Sequence, residues 1–128
     1  MKTPTQTAGA RAHAEAAAEA IRALNHATMW AGPEGYQEPA DVDAVIGSLA
    51  MLAACLPQAL AQADRWLCEA LDAHRVRHDQ GGDVAHGVFS ASLCLEDAAG
   101  AAGNLFGFLR EARAHSSHLA GLDGGEAR

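Results

Sequence analysis

Histidine is the residue type here with the most chemistry to offer, with seven copies in 128 residues, several at helical spacing. His74 and His78 stand four apart, and His115 and His118 stand three apart. On a helix either spacing puts both rings on one face, where they would share a zinc ion at N–metal distances of about 2.0–2.1 Å. His26 or an aspartate would complete an open site, so His26, His115 and His118 are the candidate metal ligands. The same histidines suit a plainer role, because imidazoles near helix C-termini interact with the dipole and the last carbonyls. No His-Glu-x-x-His arrangement is present, and the plainer role is the one the residues favour.

Other reactive types form no motif. Cys68 and Cys94 each lie about a dozen residues from Gly81-Gly82, at similar heights, but both sit beside apolar ladder positions and read as buried, inert thiols. Glu96 and Asp97 fall inside an apolar span and read as a solvated face rather than an acid–base pair. Ser90, Ser92, Ser116 and Ser117 have no Gly-x-Ser-x-Gly context. Gly100 and Gly103 lie in helical pattern, not after a strand, so they cradle no phosphate and instead read as points of close helix approach. No catalytic residue and no cofactor is implied, and the chain is expected not to be an enzyme.

The elements that position these residues are two long apolar ladders. The first runs Val42, Val45, Leu49, Leu52, Leu56, Leu60, Ala63, Leu67, Leu71; the second runs Val84, Val88, Ala91, Leu95, Ala98, Ala102, Leu105, Leu109, Ala112. Steps of three and four mark one helix face turned to a core. Asp79-Gln80-Gly81-Gly82-Asp83 between them is a stop and restart. About a quarter of the chain is alanine, far above ordinary usage, and alanine is the best helix former. Aromatics are only 5%.

The predicted fold is therefore all-α: an up-down-up antiparallel three-helix bundle with a long helix 2–helix 3 hairpin. Helix 1 is expected from about Ala8 to Met29. A Gly/Pro-rich loop follows, with Trp30 and Tyr36 capping the open end of the core. Helix 2 begins near Pro39, where proline suits the first turn, and reaches about His78 with a kink at Pro57. Helix 3 starts from Asp83 as N-cap and ends near Leu119 or Ala120. Residues 9–120 form one domain between disordered stretches at 1–8 and 121–128. Helix 1 is too short to cover the hairpin. Phe89, Leu93, Phe106 and Phe108 add apolar surface beyond the second ladder; they either widen the core stripe or form the candidate interface for a homodimer.

Charge narrows the partners. A net charge of −7 argues against direct nucleic-acid binding, which needs a basic face, and against anionic membranes. The first ten residues have no apolar core of a signal peptide, and no apolar run approaches the roughly 20 residues that span a bilayer. Three cysteines, an odd number inside helical pattern, suit a reducing compartment. A cytoplasmic location without membrane contact is expected.

Trp30-Ala31-Gly32 resembles the Trp-x-Gly turn of small helical-hairpin substrates of type VII secretion, over three residues only and without the Tyr-x-x-x-Asp/Glu signal. A broader likeness runs from about residue 12 to 120. Ala20-Ile21-Arg22-Ala23-Leu24-Asn25-His26-Ala27-Thr28, then Tyr36, Pro39-Ala40-Asp41-Val42, Leu56-Pro57-Gln58-Ala59-Leu60 and Trp66-Leu67 resemble small Ala-rich proteins of Streptomyces and related actinobacteria. That resemblance implies a cytosolic helical protein and transfers no site residue. The function expected is therefore protein–protein interaction, including self-association. The alternative is a small-molecule or metal-binding bundle using the His26, His115, His118 end.

Overall fold

The computed structural model describes residues 9–122, and the expectations for residues 1–8 and 123–128 lie outside that range. Among the described residues there are three helices and no strand: α1 Ala10–Ala27, α2 Pro39–Asp72 and α3 Val84–Ser116. The all-α class follows from composition, since alanine and leucine dominate every helix and β-branched residues never cluster.

Local chemistry fixes the starts. Pro39 occupies the first turn of α2, where its missing N–H costs nothing. The Asp41 carboxylate accepts the N–H groups of Gln37 at 2.8 Å and Glu38 at 3.2 Å, which ties the incoming loop to the first turn. Asp83 caps α3 as its side chain accepts the His86 N–H at 3.2 Å. α2 continues without interruption through Pro57.

The stop of α2 differs from the expected His78. The helix ends at Asp72, and His74 adopts a left-handed backbone at φ 57°. The Arg75 N–H reaches back to the Ala70 carbonyl at 2.8 Å, and the His74 N–H to Leu71 at 3.0 Å. These two bonds make a Schellman stop, with histidine in the position usually given to glycine. The connection then folds back. The Arg75 guanidinium lies 5.3 Å from the Trp66 ring centre, and the His78 ring sits close against Gly82. The end of α3 likewise comes earlier than Leu119, at Ser116.

α2 and α3 are the packed pair, and they run antiparallel: the start of α2 meets the end of α3 through Asp43 and Ser116. Their seam is made of small residues. Ala50, Ala53 and Ala70 of α2 and Val88 and Ala102 of α3 are the buried apolar positions. No large side chain is fully buried among the described residues. Burying a leucine stabilises by about 1.5–3 kcal/mol and an alanine by much less, so this seam gains its stability from length and close approach.

α1 is a flanking element. Ile21 and Leu24 face Val45, Leu49 and Leu52 of α2, yet no α1 Cα comes within 8 Å of a Cα in α2 or α3. No α1 residue is buried. The chain exposes 9736 Å², against about 6400 Å² for a compact monomer of 13.2 kDa.

Candidate interaction surface

The polar centre of the molecule lies at the open end of the hairpin, and it is a clamp. The Ser116 hydroxyl donates to Asp43 at 2.6 Å, and Arg113 Nε donates to the other Asp43 oxygen at 3.3 Å. Among the described residues Ser116 is the one buried polar residue. Its hydrogen bond, with Arg113 assisting against partial burial, holds the Asp43 carboxyl below the usual carboxylate range. Gly47 makes room for the clamp, since a Cβ there would sit 2.6 Å from Arg113 Nη1. All the groups are engaged with one another, so the arrangement pins two helices and presents no free nucleophile or base.

Beside the clamp an apolar groove of about 510 Å³ opens between the two helices. Its floor is Gly47, Ala50 and Ala54, and its walls are Met51 and Phe106, with Arg110 at the rim. The Arg110 guanidinium lies 5.7 Å from the Phe106 ring centre. The four expected interface residues separate here. Phe89, Leu93 and Phe108 are exposed, at 62%, 47% and 69%. Phe106 is half-buried and belongs to the groove wall.

Several expected inward positions face out. Ala98, Leu105 and Ala112 of the second ladder are exposed, and Ala99 and Phe106 are half-buried instead. Trp30 and Tyr36 do not cap the core: they are 77% and 42% exposed. Gly100 and Gly103 do not mediate close approach either. With Gly107, each has no atom within 4 Å of a would-be Cβ, so this stripe of α3 looks into open space.

The histidines do not converge. Among the described residues no group of three His, Cys, Asp or Glu is placed to hold a metal ion. His26 lines a small hollow with Trp30, Pro33 and Glu34, while His115 and His118 stand in the last turn of α3 and just beyond it. The expectation of buried thiols is corrected: Cys55 and Cys94 are exposed. Cys68 is half-buried, 3.6 Å from an Asp64 oxygen. Desolvation and that carboxylate push its thiol up, so it stays protonated and unreactive.

The expectation that no segment is long and apolar enough to span a bilayer fails for α2. Residues 44–63 carry no charged side chain, and α2 passes on length and composition. Only 11% of its most apolar stretch is fully buried, and its large aliphatic residues Val45, Ile46, Leu49, Leu52, Leu56 and Leu60 are half-buried.

Sequence reasoning missed the Asp43–Ser116–Arg113 clamp because it joins residues 73 and 70 positions apart. One signal for it was present: Asp43 and Ser116 lie at equal distances from Asp79-Gln80, the centre of the connection. No protein-family model, curated protein or solved structure matches this chain.

Proposed function

We propose that this chain works in the cytoplasm as a non-enzymatic binding protein, and that its partners include a second copy of itself. The observation that carries the reading is the imbalance of the hairpin. Alanines fill the seam, while Met51, Trp66, Phe89 and Phe108 remain more than half exposed. Such surface on one chain marks an interaction site. In this reading the up-down-up bundle is completed on assembly, with α1 drawn against the hairpin and α2 bent at Pro57.

Size-exclusion chromatography with light scattering at tens of micromolar tests it. A mass above 13.2 kDa supports self-association, and a strict monomer removes it. A second reading, the hairpin lying against a bilayer, is favoured by the uncharged stretch 44–63 of α2, which is long and apolar enough to cross a membrane. Flotation with neutral lipid vesicles separates the two, because a protein-binding chain stays in the soluble fraction.

A further inference from the structure

We propose that a second copy of this chain docks on the outer face of α3, antiparallel, about a two-fold axis at Gly103. The proposal rests on the self-association reading above and names its surface. Phe89, Glu96, Gly103 and Arg110 recur every seven residues, so they share one face of the helix. That face lies beside the seam, with Arg110 at the rim of the groove. Phe89 is 62% exposed, Glu96 and Arg110 are exposed, and nothing lies within 4 Å of the Cβ position at Gly103.

The charges on this face are self-complementary. Glu96 lies seven residues before Gly103 and Arg110 seven after, about 10.5 Å along the axis in each direction. Among the described residues neither has an ion-pair partner within the chain. A two-fold at Gly103 brings each Glu96 opposite Arg110 of the other copy, at both ends of the contact. A parallel or shifted pairing loses this match.

Shape follows the same symmetry. Gly103 meets its own counterpart at the axis, where neither residue carries a Cβ and the two helices can approach closely. Exposed ion pairs add little affinity and mainly set register, so the apolar area of Phe89 and Leu93 supplies the attraction. α3 is 33 residues long, about 50 Å, enough for a contact of standard size. Phe108 lies roughly a third of a turn round the helix and stays outside this contact.

The test uses charge reversal and mixing, read by sedimentation equilibrium of the full chain, with helicity checked by circular dichroism. The wild type is expected at about twice 13.2 kDa. Glu96→Arg alone and Arg110→Glu alone are each expected to weaken the dimer at least about tenfold, because like charges then meet at both ends. Glu96→Arg also moves the net charge two units toward zero, so net charge alone would act the opposite way. An equimolar mixture of the two variants restores every Glu–Arg pair and is expected to recover the dimer as a heterodimer. Phe89→Ser is expected to weaken association, and Phe108→Ser to leave it unchanged. A wild-type dimer indifferent to both reversals, or a mixture that stays dissociated, overturns this docking and leaves self-association standing. A wild type at 13.2 kDa throughout overturns both, and its flotation with neutral vesicles would assign the exposed apolar surface to lipid.

Discussion

α3 has two faces built on opposite terms. Toward α2 it presents Val88, Ala91, Leu95, Ala102 and Leu109, all buried or half-buried against a partner helix. Away from α2 it presents Phe89 and Leu93 to solvent, with Gly100, Gly103 and Gly107 opening onto nothing. Each of those glycines costs about 1 kcal/mol of helix propensity relative to alanine, and the single chain returns none of it. The inner face is thus packed against a neighbouring helix, and the outer face is left to solvent. Periodicity alone finds the first kind of face. Unreturned cost marks the second.

The comparison breaks most readily at the inner face. Ala53 is fully buried in the seam, so Ala53→Leu is expected to force the helices apart and cost about 2–3 kcal/mol in urea unfolding. The same increase in size on the outer face has the space it needs. A loss under about 0.5 kcal/mol would mean the seam is looser than its burial indicates.

Next in size is the clamp that locks the seam in register. Ser116→Ala removes the donor to Asp43 and is expected to cost about 1–2 kcal/mol by the same measurement. Acid should act on the same pair. The folded-state pKa of Asp43 is depressed, so its contribution is present above the unfolded carboxylate value near 3.9 and is lost as pH falls through the lower folded value. The wild type should therefore lose more stability than Asp43→Asn between about pH 5 and pH 2; parallel pH profiles would separate Asp43 from the acid response.

The outer face sharpens the contrast in the opposite direction. Gly100→Ala meets open space on a helical backbone and is expected to stabilise the dissociated chain by about 1 kcal/mol, seen as a higher Tm in dilute solution. His74→Gly is expected to give a gain of similar or smaller size. It relieves a left-handed backbone at φ 57° in a residue with a Cβ. No gain there would mean the fold-back of Arg75 onto Trp66 depends on the imidazole.

Much of this fold was legible locally. The Ala-rich helices, the Pro39 start and the Asp83 cap all depend on residues within one turn of one another. Past its midpoint the ladder of α3 was legible at Ala102 and Leu109 but not at Ala98, Leu105 and Ala112. After Leu95 a step of three reaches Ala98 and a step of four reaches Ala99, two identical side chains. The structure takes the step of four, which brings Phe106 inward and leaves Leu105 45% exposed. The candidate interface splits at that position, with Phe106 on the groove wall and Phe108 on a different side from Phe89.

By itself the sequence determined the helical class, the two long elements and the loop that separates them, because propensity, capping and turn chemistry act over a few residues. Tertiary structure alone decided the rest: which ladder step faces α2, where α2 stops under the folded-back connection, and the meeting of Asp43 with Ser116. Each depends on the register of one helix against another, set by close packing of small residues in the seam, and a periodicity of three and four leaves that register open.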